Sequence, residues 1–164
     1  MATQLKNLSD FSDITIPSAK GYKFGIVVAQ WNAGVTGALL NGAYKLLTDN
    51  GAAEADITVI EVPGSFELTS GAAMLLNART DLDAVICLGC VIQGETPHFT
   101  FICDGVANGI TQLNIKYNKP VIFGVLTTDN LDQAKDRSGG KHGNKGDEAA
   151  VTAIQMVHIK NSLK

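Results

Sequence analysis

The run Phe24–Ala29, FGIVVA, carries no polar side chain. A strand with one wet face alternates polar and apolar residues, whereas a strand apolar throughout is covered on both faces, and sheets of that kind are nearly always parallel. Three further strand patterns follow at Asp56–Val62, Asp83–Val91 and Pro120–Leu126, the last with proline at its first position, where a missing N–H is tolerated. Helical spacing fills the gaps between them. Val35–Asp49 sets Leu39, Leu40, Ala43, Leu46 and Leu47 on one face and stops at Asn50-Gly51. Glu67–Ala78 does the same with Leu68, Gly71, Ala72 and Leu75, and the helix after the third strand carries Phe99, Ile102, Val106, Ile110 and Leu113. Asp129–Arg137 predicts a short helix and Asp147–Ile159 a last one, with Ala150, Ala153, Ile154 and Val157 inward. Strand and helix alternating with short connections call for an α/β, three-layer α/β/α fold around a four-stranded parallel sheet, flavodoxin-like in class.

The boundaries follow. Residues 1–20 are polar and irregular and read as an N-terminal arm, extended and in need of a surface to lie on. Residues 21–164 read as one domain; at 45% hydrophobic residues it has the means to bury a sizeable core. Charged residues make up only 18% of the chain, a low share that fits surface buried between subunits or a tight core, the first slightly ahead. The net charge of −3 with no basic block argues against nucleic acid. The N-terminus lacks a signal-peptide core and no apolar run is long enough to span a membrane, so a cytoplasmic protein is expected. Cys87 and Cys90 form a C-x-x-C, but inside a strand two residues three apart point to opposite faces, so packing is expected of them rather than redox or metal chemistry. The three histidines have no metal-ligand spacing, and no metal is expected.

Ligand sites in open α/β sheets lie beyond the carboxyl ends of the strands. Here those ends carry Gln30-Trp31-Asn32, Gly64-Ser65-Phe66-Glu67, Gly89–Phe99 (GCVIQGETPHF) and Thr127-Thr128. In the third, a strand passes through a glycine-hinged loop into a helix, with Thr96 expected as the N-cap and Pro97 at the first helical position. Such a helix start favours an anion, and His98 in its first turn adds the side-chain type that exchanges protons near neutrality. Trp31 is the only tryptophan, either a core or lid residue or a platform for a flat heterocycle. Glu67 either caps its helix or accepts hydrogen bonds from ligand hydroxyls. Arg137, Lys141 and Lys145 surround the glycine-rich basic loop Ser138–Gly146, and Arg137 suits a phosphate, its own chain's or a neighbour's. Neither a Walker A loop nor a G-x-G-x-x-G after the first strand is present.

Taken in order, Gln30-Trp31-Asn32, VPGSFEL at Val62–Leu68, GCVIQGETPHF, PVIFGVLTT at Pro120–Thr128 and RSGGKHGNKG at Arg137–Gly146 closely resemble the lumazine synthase (6,7-dimethyl-8-ribityllumazine synthase) family, from about Tyr22 into the final helix. The resemblance implies condensation of 5-amino-6-(D-ribitylamino)uracil with 3,4-dihydroxy-2-butanone 4-phosphate, releasing phosphate and water without metal or organic cofactor. It implies that Trp31 stacks on the pyrimidine, that Ser65, Phe66 and Glu67 hold the ribityl chain, and that Cys90, Val91 and Ile92 meet the pyrimidine edge through backbone groups. Glu95 and Thr96 match its phosphate turn and His98 its proton-transfer residue. Phe123 and Arg137 match positions presented from an adjacent subunit, and Lys145 a lysine near the pyrimidine carbonyls. The family forms homopentamers, often twelve of them in a 60-subunit icosahedral shell, and Ser138–Gly146 resembles the short loop of shell-forming members. The N-terminal arm would then pair with a neighbour's sheet edge. The chain departs from the family's pattern at Gln93, where a basic residue is frequent, at Glu95, whose carboxylate is expected to point away from a phosphate, and at Pro97, which lacks an N–H.

Overall fold

The computed structural model describes residues 7–163. Its elements run β1 (Phe24–Ala29), α1 (Ala33–Asp49), β2 (Ile57–Val62), α2 (Leu68–Ala78), β3 (Ala84–Ile92), α3 (His98–Tyr117), β4 (Val121–Thr128), α4 (Leu131–Asp136), β5 (Ser138–Gly140), β6 (Gly143–Asn144) and α5 (Lys145–Ser162). β1 to β4 form one parallel sheet in the order β2-β1-β3-β4. Because the two central strands, β1 and β3, are apolar on both sides, each face needs a cover. One core gathers Ile26, Val28, Ile86 and Leu88 of the sheet with Leu39, Ala43 and Leu47 of α1 and Ala150, Ala153 and Ile154 of α5. The other gathers Val27, Val85 and Val125 with Leu68, Ala72 and Leu75 of α2 and Val106, Ile110 and Leu113 of α3. The α/β/α three-layer expectation is met, with α1 and α5 on one face and α2 and α3 on the other.

Cys87 and Cys90 fall in opposite cores, as period-two alternation requires. Burial pushes the Cys87 thiol up to about 12 and the Cys90 thiol to about 11, which keeps both protonated and unreactive at neutral pH.

Local structure corrects three expectations. Thr96 is not the N-cap of α3: the helix begins at His98, Pro97 takes the cap position in the helical region, and no side chain caps the first turn. Ser138–Gly146 is not a loop throughout, because β5 and β6 pair antiparallel as a tight hairpin. The last helix starts at Lys145, not Asp147, because Asn144 caps it by accepting from the Gly146 N–H at 2.8 Å.

The arm's described part forms no strand. It is tied to its own chain at both ends, through Leu8 and Ser9 near the hairpin and through Ala19, whose N–H donates to the Asn50 carbonyl at 2.8 Å. His158 Nε2 donates to the Ser18 carbonyl at 2.8 Å and its ring meets Tyr22 edge-on.

Candidate active site

The strand order reverses between β1 and β3, which run to opposite sides of the sheet for their next neighbours, and this is where a doubly wound sheet opens a crevice at its carboxyl end. Asn32 bridges the two strand ends there. It sits in the left-handed region at φ 60°, which asparagine tolerates better than most residues, and its Nδ2 donates to the Cys90 carbonyl at 3.0 Å. Ser65 is buried and reaches the same carbonyl from the other side, its hydroxyl donating at 3.5 Å. That approach needs Gly89, since a β-carbon there would lie 2.7 Å from Ser65 Oγ. Sequence reasoning placed Asn32 at a strand end but assigned it no role. An asparagine leaving a buried strand directly before a helix is the signal that could have found it.

Trp31 and Glu67 flank one point. A β-carbon on Gly64 would lie 3.0 Å from Glu67 Oε2 and 3.5 Å from Trp31 Cδ1, so indole and carboxylate face a shared space over that glycine. Trp31 is 73% exposed and Phe66 56% exposed, so neither is a core residue. Phe66 lays its ring edge against α3, where a β-carbon on Gly105 would come within 3.0 Å of it. Glu67 does occupy the cap position of α2, but its side chain makes no capping bond, which leaves both carboxylate oxygens to accept from elsewhere. The fold thus brings Trp31, Ser65, Phe66, Glu67 and Cys90 to one end of the sheet, with Val91 and Ile92 half-buried as β3 runs out beyond them.

The turn that follows is open. Gln93 ties it to β4 by donating its N–H to the Thr128 carbonyl at 2.8 Å. Gly94, Glu95, Thr96, Pro97 and His98 are then all exposed. Among the described residues, the N–H groups of His98 and Phe99 find no acceptor, and the first turn of α3 keeps its positive dipole end facing outward.

Arg137 and Lys145 form a separate group. Lys145 N–H donates to the Arg137 carbonyl at 2.8 Å, which ties the end of α4 to the start of α5. Arg137 Nη1 donates to the Gln133 carbonyl at 3.2 Å, and Lys145 Nζ pairs with Glu148 Oε1 at 2.8 Å. Among the described residues, neither side chain bonds to the Gly89–His98 segment. Phe123 is also apart. Its partner on β3 is Cys87, three positions before Cys90, whose carbonyl Asn32 and Ser65 share. At about 3.3 Å per residue, its backbone lies roughly 10 Å below that carbonyl. Within one chain it therefore packs on the α2–α3 core instead of lining the crevice.

Among the described residues, no three His, Cys, Asp or Glu side chains group to hold a metal ion, and no helix is long and apolar enough to cross a membrane.

The profile of the 6,7-dimethyl-8-ribityllumazine synthase family matches residues 21–161. The chain is similar to the 6,7-dimethyl-8-ribityllumazine synthase of Cytophaga hutchinsonii, 57% identical over 157 residues that cover 96% of this chain and 98% of that one. It is similar to that of Parabacteroides distasonis, 54% identical over 159 residues, 97% of this chain and 99% of that one. The protein of the same name from Phocaeicola vulgatus is 49% identical over 164 residues, covering 100% of this chain and 97% of its own. A profile that spans the whole sheet, with relatives alike from end to end, places this chain in the 6,7-dimethyl-8-ribityllumazine synthase family.

Proposed function

We propose that the protein condenses 5-amino-6-(D-ribitylamino)uracil with 3,4-dihydroxy-2-butanone 4-phosphate to give 6,7-dimethyl-8-ribityllumazine, the penultimate step of riboflavin biosynthesis, releasing phosphate and water. The observation that carries the reading is the exposed indole of Trp31 facing the Glu67 carboxylate across Gly64, at the crevice between β1 and β3. A flat ring stacks on the first and a polyhydroxy chain donates to the second. Ser65 and Phe66 flank the chain, and the backbone of Cys90, Val91 and Ile92 meets the ring edge. Glu95 and Thr96 form the phosphate turn at the uncapped start of α3, where free N–H groups and the helix dipole favour an anion. His98 moves the proton. Imine formation and phosphate elimination need two substrates in register and a mobile proton. Orientation supplies about 7–11 kcal/mol of the barrier, and a positioned acid–base about 10²–10⁴-fold in rate.

The residues a single chain leaves out favour a shared site. Phe123 lies on β4, an edge strand, and is half-buried, so it has a side to offer to a neighbour. In this reading Phe123, Arg137 and Lys145 complete the pocket of the adjacent subunit. Met74 on α2 and Phe101 and Ile115 on α3 are exposed, and apolar side chains of that size on one layer suit a subunit interface. The protein is then a cytoplasmic homopentamer, assembled further into a 60-subunit shell, with residues 21–164 as the catalytic domain and 1–20 as an arm. Phe11–Thr15, between the arm's two anchors, is the described stretch left to meet a neighbour's sheet edge.

Mixing the two substrates with the protein tests the reaction directly, since the lumazine product absorbs and fluoresces where the substrates do not. Quenching of added riboflavin fluorescence without any product would replace catalysis by binding. Sedimentation velocity tests assembly: a pentamer has a mass of about 86 kDa, five times 17.3, and the shell about 1 MDa.

A further inference from the structure

The hairpin that carries the expected phosphate and pyrimidine residues is clasped by the start of its own chain. Ser9 Oγ accepts from the Asn144 N–H at 2.9 Å and donates to Asp147 Oδ2 at 2.6 Å. One residue earlier, the Leu8 N–H donates to the His142 carbonyl at 2.7 Å. The chain passes so close that a β-carbon on Gly143, itself at φ 80°, would lie 2.7 Å from the Ser9 nitrogen, 2.8 Å from the Leu8 nitrogen and against Asn7 Oδ1.

The clasped residues are joined to Arg137 and Lys145. His142 N–H donates to the Asp136 carbonyl and Lys145 N–H to the Arg137 carbonyl, each at 2.8 Å. Asn144, which Ser9 holds by its backbone, is anchored by its side chain to the Ala38 carbonyl of α1 at 2.9 Å and immediately precedes Lys145. Ser9 therefore holds the short segment that runs from Arg137 to Lys145.

Chain length does not force this contact. From Ser9 to Ser18 the chain spans up to about 30 Å when extended. The stretch of α5 it follows, from Asp147 beside Ser9 to His158 beside Ser18, is about 16 Å long at 1.5 Å per residue. Part of the slack is taken up in a turn where the Ile14 N–H bonds back to Phe11. A tether with that much spare length leaves the clasp to be held by its own hydrogen bonds.

We propose that Ser9 is a positioning residue for the reaction. Through the β5–β6 hairpin it sets where Arg137 and Lys145 sit, and in the shared-site arrangement it does so for the neighbouring subunit's pocket. The inference rests on the roles proposed above for Arg137 and Lys145. It is tested with the full-length assembly and the variants Ser9→Ala, Ser9→Thr and Arg137→Ala, reading amide hydrogen exchange at Asn144 together with kcat and KM for the butanone phosphate. Ser9→Ala should speed exchange at Asn144 and raise KM about threefold to tenfold, the range for one lost hydrogen bond, with kcat held. Ser9→Thr, which keeps the hydroxyl, should restore both. Unchanged exchange in Ser9→Ala overturns the clasp itself. Faster exchange with unchanged KM, while Arg137→Ala raises KM, overturns the positioning role and leaves the proposed function standing. An unchanged KM in Arg137→Ala strikes the site assignment, and the positioning role falls with it even where exchange shows the clasp to be real.

Discussion

The two ends of the sheet are finished differently. At the amino end, Lys23, Arg79 and Lys119 all find partners in their own chain. Lys23 donates its N–H to Asp83 at 2.8 Å and pairs its ammonium with Asp81 at 3.0 Å. Arg79 spans Thr58 Oγ1 at 2.9 Å and both oxygens of Asp81, and Lys119 Nζ caps the Thr80 and Leu82 carbonyls at 2.6 and 2.7 Å. At the carboxyl end, Trp31 and Phe66 stand in solvent, Glu67 caps nothing, and His98 is exposed on an uncapped helix start. The backbone differs, with helix-to-strand turns and helix C-termini at the amino end and strand-to-helix turns and helix N-termini at the carboxyl end. The side chains differ with it: those named at one end hold the fold, while those at the other are left free for groups the chain does not supply.

Substitutions at the two ends should separate accordingly. The largest effect is expected at the open end. His98→Ala should lower kcat about 10²-fold and leave measurable turnover, because orientation survives the loss of the proton carrier. Steady-state kinetics on the intact assembly decide it, and complete loss would mean that the imidazole does more than move a proton. Next, Arg137→Ala should raise KM for the phosphorylated substrate about tenfold, the lower bound for hydrogen bonds to a charged group, with little change in kcat. An unchanged KM would remove Arg137 from the site.

The closed end should answer in stability alone. Lys119→Met should cost about 1 kcal/mol in urea unfolding, since two carbonyls lose their donor, while kcat and KM stay as they are. A change in kinetics would blur the division between the ends. Smallest is the pH effect of Asp81, whose carboxyl is held below the usual carboxylate range by hydrogen bonds from Arg79 first and Lys23 second. A carboxylate with a depressed folded pKa contributes stability above its unfolded value, near pH 4, and loses it as pH falls further. Asp81→Asn should therefore lower stability slightly at neutrality, where the charged pairing is lost, and flatten the acid limb below about pH 4, where the parent protein loses that contribution as well. A steeper limb in the variant would reverse the sign and discard the pairing as its cause.

Much of this architecture was legible before any coordinates. FGIVVA announces a strand covered on both faces, and the inward residues named for α1, α2 and α5 are buried or half-buried in the two cores. Local pattern suffices there because burial on a period of two or of 3.6 residues leaves its trace in every turn of chain. The errors cluster where patterning is absent. SGGKHGNKG has no apolar period, so its pairing into a hairpin depended on the arm lying across Gly143 and on Asn144 reaching α1, contacts far away in sequence. Thr96 looked like a cap by residue type, but Pro97 took the position instead.

Residue order alone determined that this chain would form one parallel sheet with helices on both sides, and that its unusual side chains would gather at the strands' carboxyl ends, because both follow from short-range periodicity and the handedness of the βαβ unit. Only tertiary structure decided that Trp31 and Glu67 share the space over Gly64, that Asn32 and Ser65 converge on one carbonyl, and that Phe123 and Arg137 stand apart from that crevice within a single chain. Those are matters of strand register and of the angle at which loops leave the sheet. Both are set by how the two cores fill, and the spacing of residues along the chain carries no record of that.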